Sequence, residues 1–504
     1  MVVSTVLGNL LDPFLLFVVM ASALYGLVIG AIPGLTALMA SALLVPFIIF
    51  LDPIPAVASI VTASAMAIFA GDIPSALLRM PGTPASAAYT DDAYGLVMRG
   101  KAASSLGAGV MASAFGGIFS AIVLSLAAPS LASVALSFSS VEYFWLGLMG
   151  LSCATLVTSD SLLKGLVSLF FGLALATVGM DPTSGIPRFT FGSVDLLGGF
   201  GLIPVLIGFF AISELMRSAC IPTETRQKLP PVGPIFKVSL RDLWSHRAGV
   251  MNGSFIGTIV GILPGAGSDI AAWISYAISR RGTKRGRKMD DDGALERITV
   301  ASAANNASLG GAYIPATVFG IPGDAISAIV ISVMFIKGIN PGPTLFMNNP
   351  ATIYTVFAIF FVANIAMVPL GIIMVRAFGA VLRLPVAYIT PLILLFCIVG
   401  SFSVENTMIA VAMAGIFGIL GWFLAANGIP LAPAILGLIL GPMIEQTFMT
   451  TMLKAQGDFS VFFDRQIGSW LAWITIAVWV LVLGSRLLRA LREMRDPALR
   501  DTQG

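Results

Sequence analysis

Long stretches without a charged residue follow one another along this 504-residue chain, and they constrain its fold more than any other feature. Five of these stretches are Pro13–Pro33, Leu106–Ala128, Leu196–Ser213, Ala351–Val375 and Ile467–Ser485. Each is close to the roughly 20 residues that a helix needs to cross a bilayer. Charged residues make up only 11% of the chain, whereas a soluble domain carries roughly 25%. The pattern predicts an all-α polytopic membrane protein with about ten to twelve transmembrane or re-entrant helices.

Positive charge is distributed unevenly along the chain, and this predicts its orientation. No Lys or Arg precedes Arg79, so Pro13–Pro33 is expected to be a retained span and not a cleaved signal peptide. Basic residues concentrate in Arg217–Arg247, Arg280–Lys288 and the tail from Arg486. Because short cytoplasmic loops collect Lys and Arg, we expect a periplasmic N-terminus and a cytoplasmic C-terminus in a bacterial inner membrane. Basic loops between spans do not form the folded basic face that nucleic acid requires.

Several classes of chemistry find no support in the sequence. Cys153, Cys220 and Cys397 have neither paired nor metal-type spacing, so no disulfide framework and no zinc site is predicted. The single histidine, His246, stands beside Arg247 in a basic segment and is expected to be solvated. Neither H-E-x-x-H nor G-x-S-x-G occurs. We therefore expect a protein that is not an enzyme and that carries no cofactor.

Two glycine-rich and proline-rich breaks occur twice, at nearly constant separation. The segment Gly26–Thr36 (GLVIGAIPGLT) has a counterpart in Gly257–Ser268 (GTIVGILPGAGS), and Gly30 and Gly261 are 231 residues apart. Met80–Ser86 (MPGTPAS) likewise corresponds to Ile321–Ser327 (IPGDAIS), with Pro81 and Pro322 separated by 241 residues. This duplication predicts two structural repeats.

The two repeats are expected to be inverted in the membrane, since the first is entered from outside and the second from a basic, cytoplasmic segment. Inverted repeats with interrupted helices at corresponding positions are typical of secondary transporters, whose binding sites lie near the bilayer midplane. The predicted divisions are residues 1–213 as the first membrane repeat, 214–247 as a cytoplasmic connector, 248–466 as the second repeat, and 467–504 as a final transmembrane helix with a basic cytoplasmic tail. The alternative is that Pro and Gly only kink packed helices.

The breaks have a chemical meaning because Pro-Gly in mid-membrane frees backbone groups that need partners. After Pro81-Gly82, Thr83 is expected to cap a new half-helix that starts at Pro84. Free N–H groups at such an N-terminus suit a carboxylate, and freed carbonyl oxygens suit a small cation. Neutral oxygens and glycines near the breaks are the predicted substrate-binding or ion-binding residues: Gly34, Thr36, Gly82, Thr83, Ser86, Gly265, Ser268, Asn305, Asn306, Gly323 and Asp324.

Acidic residues in apolar surroundings mark ion or substrate paths by default, but each has a structural alternative. Those found here are Asp72, Asp269, Asp324, Glu405 and Glu445. Asp324 is also a good N-cap, Glu445 could end a helix at the interface, and Asp72 could cap a short helix while neutralising Arg79.

These motifs together resemble the large membrane subunit of the tripartite tricarboxylate transporter family, a permease. The resemblance covers residues from near Leu24 to about Ile467, and it is carried in order by GAIPGLT, PGTPAS with DDAYG, GMDPTSGIPRFTFG, GILPGAG, AANNASLGG, GIPG and LGPMIE. It implies a partnership with a small membrane subunit and a periplasmic solute-binding protein. It further implies uptake of small organic carboxylates, such as tricarboxylates, driven by an ion gradient in which Na⁺ is the coupling cation.

One residue departs from the family pattern, because Asp324 stands where many members have serine. A carboxylate there repels an anionic solute unless a cation or a basic group on the solute pairs with it. The rival readings are a carrier of the same type for another solute, a channel or scaffold, and an intramembrane enzyme built on acids such as Asp72 and Asp269.

Overall fold

The computed structural model describes residues 2–33, 35–157, 161–181, 183–219, 235–265, 267–381 and 386–495. Most of this part of the chain is helical, and an all-α polytopic membrane protein fits it. The helices of the first half are α1 Val2–Leu10, α2 Pro13–Ala31, α3 Ala37–Ile48, α4 Pro53–Ala70, α5 Asp72–Leu78, α6 Thr90–Met98, α7 Ala102–Ala135, α8 Ser140–Val157, α9 Leu162–Ala176, α10 Leu202–Leu206 and α11 Ser213–Ala219.

The helices of the second half are α12 Ile235–Ser245, α13 Arg247–Ile262, α14 Gly267–Gly282, α15 Asp291–Phe319, α16 Ala325–Ile336, α17 Leu345–Asn348, α18 Pro350–Val381, α19 Val386–Glu405, α20 Met408–Ala426, α21 Leu431–Lys454, α22 Val461–Asp464 and α23 Gln466–Arg495. Short 3₁₀ turns occupy Ser86–Ala88 and Val194–Leu196, and a π-helix occupies Ile207–Ile212. Strands β1 (Gly179–Met180) and β2 (Pro187–Arg188) form an antiparallel hairpin in which Gly179 pairs with Arg188.

Six helical segments in the described residues are long and apolar enough to cross a membrane. They are Pro13–Ala31, Pro53–Leu78, Ala102–Ala135, Pro350–Phe378, Met408–Ala426 and Leu431–Lys454. Shorter apolar helices accompany them, among them α3 and α16. The total of ten to twelve crossing or re-entrant elements stays a prediction.

Asp-Pro pairs start two of the long helices. Asp12 caps α2 by accepting from the N–H groups of Phe14 and Leu15 at 3.3 and 3.2 Å, and Pro13 is the first helical residue. Asp52 and Pro53 begin α4 in the same order. Proline is tolerated at this position because its missing N–H would have no intrahelical partner.

Small residues allow helices to touch backbone to backbone in both halves. A Cβ on Gly30 of α2 would lie 2.5 Å from the carbonyl oxygen of Ala67 on α4, and one on Gly261 of α13 would overlap that of Ser308 on α15. Such contacts exclude any side chain, and small residues serve this purpose where lipid provides no hydrophobic drive for helix association. α15 lies at the centre of the fold and is buried from Gly293 to Val318.

Three sequence predictions outside the breaks are corrected by the fold. The apolar run Leu196–Ser213 is not helical along its whole length, because a 3₁₀ turn ends at Leu196 and the continuous helix of α10, the π-helix and α11 starts only at Leu202. His246 is only 3% exposed and lies 3.2 Å from Asp292, so it is buried between α12 and the start of α15 and not solvated. Glu445 lies inside α21 and not at a helix end. Of the predicted connector 214–247, residues 220–234 lie outside the described residues.

Candidate functional site

The second break of each half has the same backbone path. α5 ends at Arg79 in the left-handed region with φ 57°, and the N–H groups of Arg79 and Met80 both turn back to the carbonyl of Pro74. α15 ends at Gly320 with φ 68°, and the N–H groups of Gly320 and Ile321 turn back to Pro315. This pattern is a helix C-cap that reverses the chain direction. Each of these positions is separated from its counterpart by the same 241 residues as Pro81 and Pro322.

The glycines after the two prolines let the reversed chain lie against the helix it has left. The N–H of Gly82 donates to the carbonyl of Gly71 at 3.2 Å. A Cβ on Gly82 would lie 2.6 Å from Cα of Gly71, and a Cβ on Gly323 would lie 2.7 Å from Cα of Ala312. No other residue fits either place without movement of the backbone, which explains why the Pro-Gly pair occurs in both halves.

A reciprocal pair of hydrogen bonds follows each glycine. In the first half, the N–H of Ser86 donates to Oγ1 of Thr83 and the N–H of Thr83 donates to Oγ of Ser86, both at 3.1 Å. In the second half, the N–H of Ser327 donates to Asp324 at 2.7 Å and the N–H of Asp324 donates to Ser327 at 2.9 Å. The second pair is a capping box at the start of α16.

The first half departs from the prediction at this point. Thr83 accepts the expected capping bond, but only the 3₁₀ turn Ser86–Ala88 follows it, and the next helix, α6, starts at Thr90. In the second half Asp324 is an N-cap, as its residue type allowed, and its own carboxylate takes the N–H of Ser327. That N–H is therefore not free to bind an anion.

The glycine-rich breaks lie beside the Pro-Gly breaks in the second half. The N–H of Gly265, which has φ 81°, donates to the carbonyl of Gly323 at 2.7 Å. A Cβ on Gly323 would lie 2.7 Å from the carbonyl oxygen of Gly261. In the first half Gly34 lies outside the described residues, and Thr36 caps α3 by accepting from Met39 at 3.3 Å.

The two halves meet at the first turns of α14. Oδ1 of Asp269 accepts from the N–H of Ala85 at 3.1 Å, and Nε1 of Trp273 donates to the carbonyl of Pro84 at 3.1 Å. A Cβ on Gly267 would lie 3.1 Å from Cβ of Asp324. The polar turn of the first half and the cap of the second half therefore lie against the same helix start, near the predicted site residue Ser268.

The asparagine pair of α15 is divided between two neighbours. Asn305 Nδ2 lies 3.5 Å from the hydroxyl of Tyr89, three residues beyond Ser86, whereas Asn306 Nδ2 donates to the carbonyl of Ala65 on α4 at 3.1 Å. Both side chains are 1% exposed, and within the described part of the chain the amide oxygen of each has no hydrogen-bond partner. Asn305 thus lies beside Tyr89, close in sequence to the turn Thr83–Ser86, whereas Asn306 faces α4. Thr36 lies apart from both, at the start of α3.

Asp269 belongs to this site although it was not among the predicted site residues. It was recognised only as an acid in an apolar segment, because its contact with Ala85 spans 184 residues of sequence. In the described part of the chain, neither Asp269 nor Asp324 takes part in an ion pair. The described residues also contain no group of three or more His, Cys, Asp or Glu placed to hold a metal ion. The site is a neutral hydrogen-bonding turn flanked by two carboxylates.

Comparisons with known proteins place the chain in a family. The family model described as the tripartite tricarboxylate transporter TctA family matches residues 16–436. The chain belongs to this family. An uncharacterised 52.8 kDa protein in the TAR-I ttuC' 3' region of Agrobacterium vitis is 30% identical over 473 residues, which cover 94% of this chain and 93% of that protein. An uncharacterised protein in the TAR-II ttuC' 3' region of the same organism is 29% identical over 240 residues, or 48% of this chain and 97% of that protein. No solved structure matches the chain.

Two motifs by which the TctA family was recognised meet through an ion pair. Arg188, from GMDPTSGIPRFTFG, donates to both carboxylate oxygens of Glu445, from LGPMIE, at 2.6 and 3.0 Å. Within the hairpin loop, hydrogen bonds from the hydroxyl of Thr183 and from the backbone of Ser184 and Thr183, together with the charge of Arg188, lower the pKa of Asp181 to about 2. The motif therefore forms a charged loop that is tied to α21.

The DDAYG motif of the TctA family contributes a second ion pair between the halves. Arg297 of α15 is bonded to Asp92 of α6 at 2.6 and 2.5 Å, and the hydroxyl of Tyr276 on α14 donates to the same carboxylate at 2.9 Å. The side chain of Arg297 is only 4% exposed. This pair fixes the segment after the first Pro-Gly break against α14 and α15.

Proposed function

We propose that this protein is the large permease subunit of a tripartite, sodium-gradient-driven transporter that imports small organic carboxylates. Membership of the TctA family supports the transporter class. In this proposal the chain lies in the bacterial inner membrane, with its N-terminus in the periplasm and its C-terminus in the cytoplasm. A periplasmic solute-binding protein delivers the carboxylate, and a small membrane subunit completes the complex.

The observation that carries the proposal is the contact between the two breaks at α14. Asp269 accepts from Ala85 in the first-half turn, and Asp324 at the second-half cap lies against Gly267. A binding site between two repeats is suited to alternating access, because a movement of one repeat against the other opens it to one side or the other. The packed halves are proposed to be inverted, as the charge distribution predicts.

The electrostatics of the site support coupling to a cation. Asp269 and Asp324 would repel a carboxylate solute, and the basic side chains in the described ion pairs are engaged with other acids. A sodium ion bound with the solute would offset this repulsion, since uncompensated charge in a low-dielectric site is costly. Coupling then follows from charge balance, because solute and cation enter together.

A second candidate follows from the same two carboxylates. A solute that carries a cationic group beside its carboxylate would pair with Asp269 or Asp324 directly. The carrier type would be unchanged, and only the solute class would differ.

The test is uptake into proteoliposomes that contain this chain with its two partner proteins. Radiolabelled citrate, a panel of dicarboxylates, an aromatic acid and a zwitterionic amino acid are supplied with an inward Na⁺ gradient and, separately, with choline replacing Na⁺. We expect Na⁺-dependent accumulation of at least one acid. Accumulation of the zwitterion alone selects the second candidate, and equal rates with and without any gradient contradict both.

The Asp269→Asn variant ties the result to this site. The hydrogen bond from Ala85 becomes a weaker bond between neutral groups, and the looser contact between the halves is expected to lower uptake by about tenfold, which corresponds to about 1.4 kcal/mol. Asp195→Asn, in the 3₁₀ turn between α9 and α10, is the matched control and is expected to retain full uptake. Full uptake by Asp269→Asn would show that transport does not depend on the charge of Asp269 at this contact.

A further inference from the structure

Asp72 is a buried carboxylate whose described hydrogen bonds come only from neutral groups. It is the first residue of α5 and is 6% exposed. The hydroxyl of Tyr89 donates to Oδ1 at 2.6 Å, and the hydroxyl of Ser302 on α15 donates to Oδ2 at 3.3 Å. Both oxygens thus act as acceptors.

The charge of Asp72 is not balanced by a basic side chain in the described part of the chain. Its sequence neighbour Arg79, the partner suggested by the sequence, instead pairs with Asp91 at 2.8 Å in an exposed position. No other described ion pair includes Asp72. A buried carboxyl group is normally paired with a basic group, bound to a cation or neutralised by a proton, because neutral hydrogen bonds alone do not replace hydration.

Asn305 provides a second, independent sign of a ligand. It is 1% exposed, its Nδ2 lies 3.5 Å from the hydroxyl of Tyr89, and its Oδ1 has no hydrogen-bond partner among the described residues. Ser302 and Asn305 are three residues apart and so lie on one face of α15. An unpartnered buried amide oxygen needs a hydrogen-bond donor or a cation, and a cation is the ligand that also balances a nearby carboxylate.

The neighbouring helix leaves this cluster uncovered by a side chain. Gly109 of α7 faces it, and a Cβ at that position would lie 3.8 Å from Oδ2 of Asp72 and 4.0 Å from Oγ of Ser302. The oxygens of Asp72, Tyr89 and Ser302 therefore gather where α5, α7 and α15 meet, with the side-chain amide of Asn305 beside Tyr89.

We propose that these four side chains form a sodium site. Hard cations take carboxylate, amide and hydroxyl oxygens as ligands, and one carboxylate matches a single positive charge. Divalent ions are held by more carboxylates or by several waters. The inference rests on the proposed function, in which it identifies the site of the coupling cation.

Hydrogen bonds connect this sodium site to the first-half turn. Ser75, one turn beyond Asp72 on α5, donates to the hydroxyl of Ser86 at 2.9 Å. Gly71, which precedes Asp72, accepts from the N–H of Gly82. A cation that draws α5 towards α15 thereby fixes the turn that faces α14, which is how cation occupancy would change the affinity for the solute.

The test measures binding of ²²Na⁺ to the full chain in nanodiscs with its small membrane subunit, without solute, at constant ionic strength with choline. We expect saturable binding that Asp72→Asn weakens at least tenfold. Ser302→Ala and Asn305→Ala are expected to weaken it severalfold, since each removes one neutral ligand. The matched control Asp91→Asn removes an exposed carboxylate of the same segment and should bind as the wild type does.

The outcomes are distinct. Absence of saturable binding to the wild type, or unchanged affinity in a folded Asp72→Asn variant, overturns the sodium site. A protein whose thermal stability rises at lower pH but does not respond to Na⁺ overturns it as well. If Asp72→Asn does not fold, as judged by gel filtration, the two alanine variants decide in the same way. Sodium-dependent uptake with unchanged ²²Na⁺ binding in the variants rejects this site and leaves the proposed function standing. Sodium binding that the variants weaken, without uptake of any acid, supports the sodium site and contradicts the proposed function.

Discussion

Thr83 and Asp324 occupy equivalent positions after the two Pro-Gly breaks, yet only one of them carries a charge. Both side chains accept from the N–H three residues later, so either residue type satisfies the local backbone. The negative charge of Asp324 is thus not needed for the cap. It is free to influence which solute binds.

Replacement of Asp324 by serine, whose hydroxyl can also accept the capping hydrogen bond, separates these two roles. Asp324→Ser should keep the cap and lower the KM for a carboxylate solute about fivefold, because removal of one nearby charge is worth roughly 1 kcal/mol. Asp324→Ala removes the cap and should lower the free energy of unfolding by about 1 kcal/mol. Uptake kinetics and thermal unfolding check the two variants, with Asp458→Ser in an exposed loop as control. A raised KM in Asp324→Ser would indicate that the charge attracts the solute.

Among the helices, α13 and α15 form a pair that depends on glycine. Gly257→Ala adds a Cβ that would overlap the carbonyl oxygen of Ala304, so one helix must shift. We expect a loss of about 1–3 kcal/mol, the usual cost of overpacking, measured as a lower Tm of the purified protein. Gly415→Ala on α20 is the matched control, because a Cβ there meets no atom within 4 Å. It should be neutral or stabilising, since alanine favours helix over glycine by about 1 kcal/mol.

The ion pair between α6 and α15 is expected to be important for stability. Arg297→Ala leaves Asp92 without its charged partner in a largely buried place, which costs about 3–5 kcal/mol. The resulting fall in Tm should be partly reversed by Asp92→Asn in the same chain. Arg79→Ala breaks an exposed pair of the same segment and should change stability by less than about 1 kcal/mol. Equal losses of stability in Arg297→Ala and Arg79→Ala would contradict the burial of the pair between Arg297 and Asp92.

Sequence patterns predicted the helical class and both Pro-Gly breaks, because proline and glycine act locally on the backbone. They misplaced the half-helix after Thr83, where hydroxyl groups of Thr83 and Ser86 satisfy each other's N–H groups and compete with helix formation. They missed Asp269 as a site residue, and they expected His246 to be solvated. Both depend on contacts with distant parts of the chain, which periodicity and charge counting do not contain.

At the scale of the whole molecule, the proposed inversion places the N-terminus and the basic loop between α14 and α15 on opposite sides of the membrane. Val3→Cys and Lys284→Cys, each in a background with the three native cysteines replaced by alanine, should react with an impermeant maleimide from opposite sides. In intact cells the maleimide should label only Val3→Cys, and in inverted vesicles it should label only Lys284→Cys. Labelling of both from one side would exclude the inverted arrangement.

The backbone contacts of α2 with α4 and of α13 with α15 also limit how the protein can move. No side chain lies between the paired helices at Gly30 or Gly261 that could change its rotamer and let one helix slide along the other. We therefore expect each helix pair to move as one rigid unit. In the proposed transport cycle, the short glycine segments between these rigid pairs would act as hinges, and the proposed solute site lies beside them.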